Sequence, residues 1–593
     1  MQKTRLSKIR RTLSWCVPLT LTALALALAA AWARGEAEIH RLSELLLAGD
    51  IDDSRSVLRD LGSPLFHGQD VRTARFVVRA FEDELPLPER LGFEVRAAQL
   101  DPSAFDLTLL ARAAFARGDF DSVLRLTDLA TALGPEVPEL VTLAARIETG
   151  EVIAEPALYR AATSTWRGES VLARRVAEHL RAPESGVSLR FRDGEALGQL
   201  NAGGLKLADG LDPQLIPAIL GDAADGVGAH TLHTTLDREL SEAARRAFGR
   251  FRGSIVLVDP WNGDVLAAVS DRKTLRREGG TPAFEQMREP ASISKLITTA
   301  AYLRDGGDPD ARLRRMACRG HLSYSGQRLY CPVIAGPLRG LDRAMAVSCN
   351  VAFAELATEI GRPALLGELR RFGFDRPFRA SAGIRFPAGR VVTAGGDQRQ
   401  LADLAIGLEA SDITPLHAAL LAAVVANGGE LPEPALVRAA DGRLGLHPRP
   451  LDAAPNRTVL DPAHADVLRQ SMRAVAERGT GMRMKTRGFP VAMKTGTASH
   501  PAHGFHVNYI GFGPLPHARV AFCVRITHQG TSRRVRSAAT QVTTRLLRNL
   551  RTVARQRGWL EPRQPQLAPD LRQRLARDHR RPQDGHGSTS RAR

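Results

Sequence analysis

From Glu36 to about Pro183, Leu, Ala and Val recur at three-to-four-residue spacing with few β-branched runs, which is the pattern of amphipathic helices. The pattern then changes. Ser254 to Val258 and Val265 to Val269 are β-rich runs joined by Asp259-Pro260-Trp261-Asn262-Gly263-Asp264, in which Asn-Gly is a hairpin-turn signal. Much later, Val491 to Ser499, Asn508 to Phe512 and Val520 to Thr527 alternate as strands do, and Ser537 to Arg555 reads as an amphipathic helix. Strands at both ends of a helical block predict one sheet closed by distant segments of a domain spanning 230–556. Residues 184–229 read as a linker or small β segment, and 557–593, rich in Pro, Gln and Arg, as a disordered basic tail.

One apolar run is longer than a core helix needs. Leu13 to Ala33 is apolar or small apart from Ser and Thr, long enough to span a hydrocarbon core. Lys3, Arg5, Lys8, Arg10 and Arg11 precede it, so the positive-inside rule keeps residues 1–12 in the cytoplasm and sends everything after Arg34 outside. The expectation is a single-pass protein of the cell inner membrane, its bulk on the outer, periplasmic side. A cleaved signal peptide is the competing reading, since Ala29-Ala30-Ala31 and Ala31-Trp32-Ala33 are small-x-small sites.

Within 36–183, Gly49-Asp50-Ile51-Asp52 and Gly118-Asp119-Phe120-Asp121 each separate two apolar helices, offset by close to two 34-residue periods. The later copy resembles a tetratricopeptide repeat, with Leu107, Leu110, Ala111, Ala114, Gly118, Phe120, Ala130 and Pro135 near that repeat's small and apolar contacts. A peptide-binding repeat with a protein partner and a plain helical spacer both fit. The formal charge of +18 comes mainly from Arg scattered through helical segments, without a basic stripe interleaved with aromatics, so no nucleic-acid partner is expected.

Four cysteines lie beyond the apolar run: Cys318, Cys331, Cys349 and Cys523. An exported compartment permits disulfides. Cys318 and Cys331 flank HLSYSGQRLY, where Ser325-Gly326 is a hairpin turn, and a bridge between them is the first expectation. It would stabilise by about 3 kcal/mol in the chain-entropy model. Zinc held with His321 is the alternative, but the ligand spacing matches no common pattern, and no metal site is assigned.

Pro290-Ala291-Ser292-Ile293-Ser294-Lys295 opens an apolar helix, placing Lys295 one turn beyond Ser292 on the same face. A serine hydroxyl needs a neighbour to take its proton, and a lysine whose pKa is lowered by burial can do so. Ser348-Cys349-Asn350 precedes another apolar helix, and Lys494-Thr495-Gly496-Thr497 falls inside a predicted strand. The ordered triplet resembles the penicilloyl-serine transferases, whose signature is Ser-x-x-Lys, Ser-x-Asn and Lys-Thr-Gly. Thr234-Thr235-Leu236-Asp237, Asp259 to Ala268, Gly407 with Thr414-Pro415-Leu416, and Ala426-Asn427-Gly428-Gly429 also look like penicillin-binding transpeptidase segments, covering about 230 to 550.

The resemblance implies an α+β, β-lactamase/transpeptidase-like domain: an antiparallel sheet flanked by helices, preceded by the all-α region and the anchor. It implies Ser292 as acylated nucleophile, Lys295 as general base and Ser348 as proton relay to the leaving amine. Asn350 would bind a substrate amide, and Lys494, Thr495 and Thr497 the substrate carboxylate, with Gly496 letting substrate backbone approach. Backbone N–H groups of Ser292 and Thr497 would form the oxyanion hole. No cofactor is implied; the implied ligands are peptidoglycan stem peptides and β-lactam antibiotics. Since the region before residue 200 lacks the acidic motifs of a peptidoglycan glycosyltransferase, a monofunctional, class B-like D,D-transpeptidase is expected. A D,D-carboxypeptidase, a β-lactamase and a catalytically weak scaffold or sensor remain alternatives. Ala291 and Met493 stand where Gly is usual, and Ser499 to His506 replaces the usual Trp after the third motif. That His-bearing stretch reads as a polar rim loop or, alternatively, a metal site.

Overall fold

Five antiparallel strands from two distant stretches of chain form one sheet in the computed structural model, in the order Ala492–His500, Gly504–Gly513, Val520–His528, Gly253–Val258, Val265–Ser270. The structure describes residues 231–560 apart from short stretches, 186–201, 204–207, and parts of the helical region between 27 and 176. Asp259 to Asp264 makes the turn between Gly253–Val258 and Val265–Ser270, with Gly263 at φ 75° and its N–H bonded to the Asp259 carbonyl at 3.1 Å. That geometry is why Asn-Gly is legible there. Every residue of both strands is buried, so both sheet faces are covered.

Pro415–Ala426, buried along all its length, packs on the sheet, as do Arg238–Phe248 and Ser532–Gln556, which also pack on each other. The last is amphipathic, with Val535, Ala539, Val542, Leu546 and Leu550 inward. It starts five residues earlier than the sequence pattern implied, because the Thr531 hydroxyl caps it by accepting from the Arg534 N–H. The helical block between the two sets of strands packs Lys295–Arg304, the helix opened by the Ser-x-x-Lys motif, against Asn350–Arg371.

The segment 184–229 is more than a linker where described. Gly186–Arg190, Ala196–Asn201 and Gly204–Leu207 join Thr231–Thr234, Val437–Asp441 and Pro448–Pro450 in a six-stranded sheet. In the amino-terminal region Phe120–Leu133 packs against Glu139–Glu148, with Ala111, Ala114 and Phe120 buried. Leu107, Leu110, Gly118 and Pro135 lie outside the described residues. No described helix is long and apolar enough to cross a membrane, and residues 1–26 of the expected anchor region are outside the description. So is the tail from residue 561.

Candidate active site

The Ser292 turn is built before the helix, not inside it. Ala291–Ser294 is a 3-10 turn that runs into Lys295–Arg304, leaving Ser292 half-buried while Ser294 and Lys295 are buried. Gly407 and Gly496 determine how closely this turn is held. A Cβ on Gly407 would lie 2.3 Å from the Ala291 carbonyl oxygen, and its own carbonyl accepts from the Ala291 N–H at 2.7 Å. A Cβ on Gly496 would meet the Pro290 carbonyl at 3.0 Å and the Ala291 Cβ at 3.2 Å. The glycine of the third motif therefore admits the Ser292 turn to the edge strand, a reason additional to substrate approach.

Three motifs far apart in sequence meet at one hydroxyl. The Lys295 ammonium donates to the Ser348 carbonyl at 2.7 Å, to Asn350 Oδ1 at 2.7 Å and to Ser348 Oγ at 3.2 Å. Lys494 Nζ lies 2.9 Å from the same Ser348 Oγ and donates to the Thr495 carbonyl at 2.8 Å. Both lysines are fully buried. Burial pushes the Lys295 pKa down to about 7, and burial together with the Lys295 charge holds Lys494 well below the ordinary lysine range. Two buried amines sharing one hydroxyl resist simultaneous protonation, so near neutral pH the group holds a neutral amine able to take a proton and a hydroxyl able to pass one on.

Ser348 sits at φ 54°, left-handed for a non-glycine residue, which turns its carbonyl and hydroxyl to the lysines. Asn350 Nδ2 donates to the Tyr330 carbonyl at 2.7 Å, leaving its second amide proton for a ligand. Lys494, Thr495, Gly496 and Thr497 lie on the sheet's edge strand, with Thr497 half-exposed. One residue not singled out from sequence belongs here. The Thr480 hydroxyl is 2.6 Å from that of Thr495, and its N–H donates to the Ala346 carbonyl, tying the strand to the stretch that leads into Ser348. A lone threonine after a helix carries no sequence signal of that contact.

The penicillin binding protein transpeptidase domain family matches residues 253–550, half of the chain, and the three motifs lie inside that match. The chain belongs to the penicillin-binding protein transpeptidase family. Peptidoglycan D,D-transpeptidase PbpA of Mycolicibacterium smegmatis is 31% identical over 339 residues, 50% of this chain and 67% of the relative. The chain spans about two thirds of the length of such relatives, the Mycobacterium tuberculosis PbpA being matched over 66%. The crystal structure of that M. tuberculosis protein has a TM-score of 0.53 at 22% identity, covering 62% of this chain and 99% of the other. Its imipenem acyl-enzyme complex gives 0.51 at 22% identity, covering 62% and 98%.

The transpeptidase's departures from the family pattern have local explanations. Ala291 occupies a left-handed position, φ 57°, where the usual Gly would be unstrained. Met493 is fully buried in space left by two glycines: a Cβ on Gly481 would touch its Sδ at 2.7 Å and one on Gly511, its cross-strand partner, its Cβ at 2.9 Å. In the His-bearing stretch, His506 turns inward: its Nε2 lies 2.9 Å from the Glu289 carbonyl oxygen, and burial pushes its pKa down to about 3. Asn508 beside it donates to the Glu289 and Pro290 carbonyls at 2.9 and 3.2 Å, and buried Arg525 holds Asn508 Oδ1 at 2.7 Å. Residues 501–503 lie outside the described residues.

The Cys318–Cys331 bridge is not formed, and both are free thiols. The hairpin itself is present, His321–Tyr324 pairing with Gln327–Tyr330. Cys318 pairs with Gly336 in a separate two-stranded ladder, not with Cys331, although their sulfurs lie within 4.8 Å of each other. The nearest sulfur to Cys331 described is that of Cys349, at 3.6 Å.

Proposed function

We propose that the chain is a peptidoglycan D,D-transpeptidase, acylated on Ser292 by a stem peptide ending in D-Ala-D-Ala or by a β-lactam. The observation that carries this reading is the buried amine-hydroxyl-amine contact of Lys295, Ser348 and Lys494. Neutral Lys295 takes the Ser292 proton as Oγ attacks the penultimate carbonyl, and backbone N–H groups of Ser292 and Thr497 hold the oxyanion. As the C–N bond breaks, a proton returns through Ser348 and Lys494 to the departing D-Ala amine. An amine from a neighbouring stem then attacks the acyl-enzyme, and Ser292 recovers its proton. Asn350, Thr495 and Thr497 line the position of the donor stem, with Gly496 between them.

The proposed setting is the outer face of the inner membrane, with 13–33 as single-pass anchor, supported by the length of that apolar run and the five basic residues before it. Incubating the full chain with a donor stem pentapeptide and an amine acceptor tests the chemistry by mass spectrometry. Cross-linked product dominating over hydrolysed tetrapeptide is expected; hydrolysis alone would make it a carboxypeptidase.

A further inference from the structure

Cys318, Cys331 and Cys349 converge from three separate segments: a short strand, the end of the hairpin, and the middle of the Ser-x-Asn motif. Their three sulfurs all lie within 4.8 Å of one another, and Cys331 Sγ is 3.6 Å from Cys349 Sγ. A tetrahedral zinc-thiolate site, with Zn–S near 2.3 Å, puts its sulfurs about 3.8 Å apart. The cluster is thus at ligand spacing already for one pair and within a small side-chain rotation for the third member.

The surroundings favour thiolates. Cys331 Sγ accepts from the backbone N–H of Asn350 at 3.2 Å and of Val351 at 3.3 Å, both in the first turn of Asn350–Arg371. Those donors and the helix dipole stabilise negative charge on sulfur. Cys318 and Cys349 are buried and Cys331 is half-buried, so the cluster is closed on the protein side and reachable through Cys331. Three cysteines also leave an odd thiol under any disulfide scheme, whereas one ion uses all three.

We infer that Cys318, Cys331 and Cys349 form a binding site for a thiophilic divalent cation of the zinc class, with water as fourth ligand. Binding exchanges three S–H bonds for three metal–sulfur bonds and releases three protons to solvent, with no oxidant or reductant involved. Its role is positional. Cys349 lies between Ser348 and Asn350, whose oxygens hold Lys295, and Cys331 follows Tyr330, whose carbonyl holds the Asn350 amide. An ion joining the three sulfurs fixes the left-handed Ser348 turn against the hairpin and so keeps both lysines on one hydroxyl.

The test is metal content of the full-length chain in detergent, purified from the exported compartment without chelator, for wild type, Cys318→Ser and Cys331→Ser. About one zinc per chain in wild type, lost in both variants, is expected, as is an ultraviolet thiolate-to-cobalt band when cobalt replaces the zinc. Cys318→Ser separates the readings, because a Cys331–Cys349 disulfide does not need that residue. Wild type alone keeps the test valid if a variant fails to fold. Metal-free wild type that takes up no cobalt, with Cys318, Cys331 and Cys349 all alkylatable or with a Cys331–Cys349 disulfide by mass, would overturn the inference.

Discussion

The three oxygens that accept from Lys295 are all uncharged, so desolvation outweighs what they and the Phe353 ring return to a buried ammonium, and its pKa falls to about 7. With neutral Lys295 as the proposed base, the rate of acylation by a β-lactam should rise with pH through about 7 and level off above. A rate flat from roughly pH 5 to 9 would remove Lys295 from that role. Lys295→Met should slow acylation by about 10²–10⁴-fold, the usual worth of a general base, while leaving the chain folded by circular dichroism. Ala291 offers a test of strain. Its left-handed conformation costs about 1–2 kcal/mol, and glycine returns about 0.4–1 kcal/mol of that through the unfolded chain, so Ala291→Gly should raise stability by up to about 1 kcal/mol. A lower melting temperature in that variant would show that the alanine methyl contributes packing that outweighs the strain.

At the scale of elements, the nucleophile turn is held from below by the sheet. Asn508 on the second strand bonds the carbonyls of Glu289 and Pro290, and Arg525 on the third bonds Asn508 together with the Gln286 and Ile413 carbonyls. Removing the Asn508 amide strands buried polar groups on both sides, so Asn508→Ala should cost about 1–3 kcal/mol in urea unfolding and slow acylation as well. Unchanged stability would mean that the turn holds itself. Little of this network was legible in the sequence. Arg525 alternates with apolar neighbours in Val520–His528 as a solvent-facing residue would, and only three-dimensional covering of both sheet faces buries it. The Asn262-Gly263 turn and the period of Ser532–Gln556 were legible because both signals are local. The short motifs whose Lys295, Ser348, Asn350 and Lys494 meet in the structure were legible for the same reason. Thr480 and the meeting of Cys331 with Cys349 were not, since they depend on how distant segments pack.

Across the whole molecule, the first and last helices on the five-stranded sheet are tied together. Arg557, just past the last helix, forms ion pairs with Asp237 and Glu239 at the start of Arg238–Phe248. Strands from 186–207 extend the second sheet through Thr231–Thr234. A chain beginning at residue 184 therefore keeps every described strand and should be acylated as fast as the full protein, whereas one beginning at 230 loses three strands and should melt lower. Equal melting temperatures would show that 186–207 is dispensable. The central claim is that Ser292 is the acylated residue, and covalent labelling tests it most directly. With a fluorescent penicillin, intact mass and gel should show one stable adduct on wild type and none on a folded Ser292→Ala variant, while an adduct surviving in Ser292→Ala would contradict the assignment.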